Sequence, residues 1–156
     1  MSRTDRASRL ILAPPERVYR ALVDPAMVRA WLPPRGARAS IDAFDPRPGG
    51  AFRMILTFDD ASLPKGKSTS NTDVVKGRFV ALETNRRVTQ AFEFDSADPQ
   101  FAGTMTMTWA LAPQAEGATL SVTAENVPAG ISAEDHKAGL ASSLSNLAAM
   151  VEGRSD

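Results

Sequence analysis

Between Gly103 and Pro113 the chain reads GTMTMTWALAP, and this stretch restricts the fold more tightly than any other. Met105, Met107, Trp109 and Leu111 fall on one side of an extended chain, with Thr104, Thr106, Thr108 and Ala110 on the other. A period of two with one apolar face is the pattern of a strand covered on one side and solvated on the other. Packing alone explains such a face. Met and Trp are also large, adaptable side chains that suit a wall accepting a guest.

The same alternation recurs on both sides of this strand. Phe52, Met54, Leu56 and Phe58 share a face within Ala51 to Phe58; Val88, Gln90, Phe92 and Phe94 share one within Val88 to Phe94; Leu120, Val122 and Ala124 share one within Ala118 to Glu125. Short turns, ETNRR and PQAEG, separate the later strands and predict an antiparallel meander. Arg6 to Ala13 reads as an edge strand and Ala37 to Phe44 as a further strand, followed by the turn DPRPGG at 45–50. Val74 to Glu83 is extended, but two sets of residues compete for its inner face. Val75, Gly77, Phe79 and Ala81 stand against Val80 and Leu82, and Gly77 is the expected site of a bulge.

Helices come in two places. In APPERVYRALVDPAMVRAWLPP, Pro15 and Pro25 sit near first helical positions, where a missing N–H costs nothing, and Asp24 is the expected N-cap of the second helix. Pro33 and Pro34 close that helix, so both are short; Val18, Leu22, Val28 and Trp31 have the spacing to face inward. A long helix is predicted from Ser132 to Glu152, with Ser132 and Asp135 forming a variant of the capping box. His136, Leu140, Leu144, Leu147 and Val151 make one stripe along it, with Ser143 and Met150 at its margin; that stripe belongs on the sheet.

Length and charge narrow the function classes. A chain of 156 residues is expected to form a single domain, residues 1–156. Lys+Arg and Asp+Glu are equal at 18 each, so no global charge favours nucleic acid or an anionic membrane. There is no cysteine, which removes disulfides and thiolate chemistry and fits a reducing, cytoplasmic setting. The apolar patch Leu10 to Ala13 is too brief for a signal core or a membrane span. The polar run from Asp59 to Asp73 reads as a long mobile loop, open to use as a lid.

Three segments carry a family resemblance: the two-helix run APPERVYRALVDPAMVRAWLPP, the turn DPRPGG, and the final EDHKAGLASSLSNLAAMVEG. In this order they resemble the domain family named after the activator of Hsp90 ATPase, within the START-like, helix-grip superfamily, over essentially the whole chain. The resemblance implies an α+β helix-grip fold, a curved antiparallel sheet wrapped around the long C-terminal helix, with two short helices after the first strand and a cavity between helix and sheet. Two positions depart from the family pattern, which has paired tryptophans before the proline and a tryptophan after the glycine of the last helix. Here those places hold Trp31-Leu32 and Gly139-Leu140. Smaller side chains there either enlarge the cavity or compensate for growth elsewhere, such as Trp109.

With that fold implied, the expected ligand-binding residues are Trp31, Met54, Phe58, Gln90, Phe92, Met105, Met107, Trp109, His136, Leu140 and Leu144. Gln90 is polar among apolar neighbours and needs a partner in the protein or in a guest. His136, the one histidine, sits in the first turn of the last helix; it is read as a satisfied structural histidine, with ligand contact or base chemistry as the alternatives. Arg53 is expected to point outward and pair with Asp42.

Catalysis finds little support. One histidine without cysteine leaves only carboxylates for a metal, and no cofactor is indicated. Ser142 and Ser143 lie roughly 10 Å along the helix from His136, beyond reach of it as a base. The turn DPRPGG does not match a phosphate loop, and the basic pairs Arg86-Arg87 and Lys65/Lys67 lack interleaved aromatics. The leading expectation is a protein that binds a small hydrophobic molecule, lipid-like or aromatic, without nucleic acid or membrane insertion. The alternatives are an enzyme resembling polyketide cyclases or hydrolases and using His136, and a chaperone-interaction module of the Hsp90 type.

Overall fold

The computed structural model describes residues 3–33, 37–58, 72–94 and 96–153. Its elements run β1 (Thr4–Ile11), α1 (Pro15–Val23), α2 (Pro25–Trp31), β2 (Ala37–Phe44), β3 (Ala51–Phe58), β4 (Thr72–Glu83), β5 (Arg87–Phe94), a 3-10 turn (Pro99–Phe101), β6 (Met105–Gln114), β7 (Gly117–Glu125) and α3 (Ala133–Val151). The seven strands form one antiparallel sheet in the order β1-β7-β6-β5-β4-β3-β2. The meander from β2 to β7 therefore follows chain order, and β1 closes beside β7. The sheet curves about α3, giving the expected α+β helix-grip arrangement. Most of the loop read as a lid, residues 59–71, lies outside the described residues, as does Pro34, expected to help close the second helix.

Local chemistry sets the helix boundaries. Asp24 caps α2 by accepting from the Ala26 N–H at 2.9 Å, and Ser132 caps α3 by accepting from the Asp135 N–H at 3.1 Å. The C-terminal carbonyls of α2 are satisfied by α3: Ser143 Oγ donates to Leu32 O at 2.9 Å, and Asn146 Nδ2 donates to Trp31 O and Pro33 O at 3.2 Å each. Arg17 Nη1 donates to Val151 O at 3.2 Å and ties α1 to the far end of α3. The C-terminal half of the long helix is thus tied to both short ones.

The competing phases of β4 have a definite resolution. Val75 and Phe79 are buried, the pairing with β5 slips between Phe79 and Ala81, and Leu82 turns inward beyond the slip. The first set holds up to Phe79 and Leu82 of the second holds beyond it, while Val80 and Ala81 are exposed, because the bulge falls at Val80 and not at Gly77. Gly77 answers a different need, because a Cβ there would stand 1.9 Å from Ala91 O on the neighbouring strand.

A single apolar core joins the inner faces of the strands to α1, α2 and α3. Phe44, Phe52, Phe79 and Phe92 form an aromatic chain, with ring centroids 5.1 to 5.5 Å apart for Phe44–Phe52, Phe44–Phe79 and Phe52–Phe92. Arg53 pairs with Asp42 on the outer surface, as its position on β3 predicts.

Candidate functional site

Between the sheet and the N-terminal half of α3 the side chains leave a cavity of about 610 Å³. Ligand sites commonly occupy roughly 300 to 1,000 Å³. Ten of the eleven residues expected from the sequence line it: Trp31, Met54, Phe58, Gln90, Phe92, Met105, Met107, Trp109, His136 and Leu140. Leu144 does not. It is 1% exposed and sits in the core, one turn beyond Leu140, packed among apolar groups.

The two departures from the family pattern both open onto this space, since Leu32, Gly139 and Leu140 are among the lining residues. A Cβ built at Gly139 meets no atom within 4 Å. The glycine is therefore not required by close packing, and the room beside it is part of the cavity.

Trp109 is held from two sides. Its ring stands edge-on to Trp31, centroids 5.3 Å apart at 77°, and its Nε1–H donates to Gln90 Oε1 at 3.1 Å. Trp31 Nε1–H donates to Ala21 O at 2.8 Å. An indole N–H only donates, so it must face the oxygen of the Gln90 amide and turns the NH₂ group the other way. Gln90 is 7% exposed, and its Nε2 has no hydrogen-bond partner among the described residues. The amide serves the protein with one end and opens onto the cavity with the other.

His136 is bound by a residue that the sequence reading did not single out. Its Nδ1 lies 2.7 Å from Asp5 Oδ2, and Arg3 Nη2 donates to the same oxygen at 3.1 Å. Burial alone would raise the Asp5 carboxyl, but the hydrogen bonds from His136 and Arg3, with the guanidinium charge, outweigh it and hold the group below its ordinary 3.8. An ionised carboxylate only accepts, so the imidazole proton resides on Nδ1. In the neutral ring Nε2 is then an acceptor, and it has no partner among the described residues. Reading His136 as a satisfied structural histidine accounts for Nδ1 and leaves its other nitrogen open.

Asp5 had a signal in the sequence. It is in phase with buried Ile11 along β1, which starts two residues earlier than expected. Asp73 was read as the end of a loop but lies within β4, 2% exposed and lining the cavity. Phe101 also lines the cavity, from the 3-10 turn whose N-cap is Asp98. No alternating pattern marks that turn.

These features define a class: a helix-grip domain with an apolar cavity and a few oriented polar groups. The family model for Activator of Hsp90 ATPase homolog 1-like protein matches residues 12–152, and the chain belongs to that family. Protein CV1439 from Chromobacterium violaceum is 38% identical, with 96% of each chain covered and a TM-score of 0.85. The AHSA1-like protein from Aeromonas hydrophila is 18% identical over 97% of this chain and 93% of its own, with a TM-score of 0.72, a likeness of fold. DynU16, from the dynemicin biosynthetic locus, is 23% identical over 96% of this chain and 47% of its own, with a TM-score of 0.65, again a likeness of fold. A search of the curated proteins gives no match. Among the described residues no helix is long and apolar enough to cross a membrane.

Proposed function

We propose that this protein binds a small hydrophobic molecule between its sheet and α3. The observation that carries the proposal is the cavity itself. Its wall is mostly aromatic side chains, leucine and methionine, and among its polar residues Gln90 and His136 each have a polar atom with no partner among the described residues. A core that served packing alone would gain by closing such space and by pairing such atoms. The lack of cysteine supports a reducing, cytoplasmic setting.

The test is a two-dimensional NMR titration of the isotopically labelled protein with aromatic and fatty compounds. Saturable shifts at Gln90, Trp109 and His136 are the expected result. No shift with any compound, in a folded protein, would reject the proposal.

The Asp5–His136 pair favours a second reading, in which His136 acts as a general base on a bound substrate. A carboxylate that fixes one imidazole nitrogen leaves the other ready to take a proton. Its mark is turnover that His136→Ala abolishes while the fold persists.

A further inference from the structure

The polar groups around the cavity are few, and several are already used. Ser143 Oγ donates to Leu32 O, Ser132 Oγ accepts from the Asp135 N–H, and Asp73 has a partner. Ser142 and Asp135 also border the cavity, on its α3 side and with no buried partner among the described residues to orient them; Gln90 and His136 each keep one polar atom whose role a buried neighbour fixes. Gln90 Nε2 is a donor because the Trp109 indole claims the oxygen of the amide. His136 Nε2 is an acceptor in the neutral ring because Asp5 claims the proton on Nδ1. One donor and one acceptor, on β5 and on the first turn of α3, belong to different walls of one cavity.

The rest of the wall selects the body of the guest. Trp31, Phe92 and Trp109 offer ring faces and edges, and Met105 and Met107 offer polarizable sulfur that sits well against an aromatic edge. Resting on the reading of this cavity as a ligand site, we infer that it takes an aromatic ring compound with two separate polar groups: an acceptor oxygen, such as a ring carbonyl, bound by Gln90 Nε2, and a hydroxyl that donates to His136 Nε2. A plain hydrocarbon leaves both protein atoms without partners on desolvation, and a simple fatty acid supplies its two oxygens at one end only.

Four compounds on one skeleton test this: fluorene, 9-fluorenone, 2-hydroxyfluorene and 2-hydroxy-9-fluorenone. Affinities come from NMR titration of the intact protein. The two indole signals of the chain serve as internal reporters, because Trp109 shares Gln90 with the ligand while Trp31 is bonded to Ala21 O. Each polar group is expected to tighten binding about fivefold, so that the hydroxyketone binds about 25-fold more tightly than fluorene. Gln90→Leu should remove the advantage of the carbonyl and keep that of the hydroxyl; His136→Phe should do the reverse. If either variant fails to fold, the four affinities of the unaltered protein still decide. Equal affinities for all four compounds would overturn the inference and leave the hydrophobic-ligand proposal standing. Binding of none of them would overturn both.

Discussion

Replacing Gln90 by Leu isolates one buried hydrogen bond whose loss has a calculable sign. The Trp109 side chain is 3% exposed, and its N–H reaches Gln90 Oε1 at 3.1 Å. Leucine keeps the size of the side chain and removes the acceptor. The indole cannot swing to another partner, because Trp31 stands edge-on 5.3 Å away. An orphaned buried donor costs about 1 to 3 kcal/mol. Water entering the adjacent cavity recovers part of that, so the expected loss is about 1 to 2 kcal/mol. In a chain of this length it appears as a fall in melting temperature of about 3 to 6 °C. The measurement is urea unfolding of the four members of a cycle: the unaltered protein, Gln90→Leu, Trp109→Phe and the double variant. Once phenylalanine has removed the donor, leucine at 90 should cost almost nothing, and the coupling between the two sites should be about 1 to 2 kcal/mol. A neutral or stabilising Gln90→Leu, with no coupling to Trp109, would refute the assignment of the amide and the derived direction of its NH₂ group.

Other perturbations probe separate parts of the site. Met107→Ala should cost about 1 kcal/mol because its side chain borders existing space, whereas Leu147→Ala, fully buried, should cost about 2 to 5 kcal/mol; similar losses at both positions in chemical unfolding would show that the methionine face is closed core. Gly139→Ala should stabilise the protein by about 0.5 to 1 kcal/mol, since helix propensity rises and a Cβ there meets nothing within 4 Å, while Gly139→Trp should fill the cavity and abolish ligand-induced NMR shifts in a folded protein. Unchanged binding by Gly139→Trp would move the ligand elsewhere. The Asp5 carboxyl lies below 3.8 in the folded chain, so its contribution to stability is complete above the unfolded value and disappears as pH falls through the folded one. Asp5→Asn should therefore be less stable at neutral pH and lose less stability than the unaltered protein on acidification below about pH 4, as read by thermal melts across that range. Equal acid limbs would remove Asp5 from the account.

What the sequence determined was periodic. Alternation over two residues located the strands of the meander, proline and capping residues located the starts of α1, α2 and α3, and the three family segments in order implied the helix grip. These signals are local, since a strand face or a cap is written within a few residues. The inner faces of β3, β5 and β6 followed from the same rule, and for that reason ten of eleven expected residues border the cavity. Tertiary structure decided the rest, because it joins residues far apart in the chain. Asp5 reaches His136 across 131 positions, and no local pattern connects them. The bulge at Val80 depends on register with β5, so two phases competed in β4 until its neighbour was in place. Leu140 and Leu144 share one helical stripe, yet one borders open space and the other is sealed. Periodicity says which way a side chain points; only the opposing surface decides whether it meets a wall, a partner or a void.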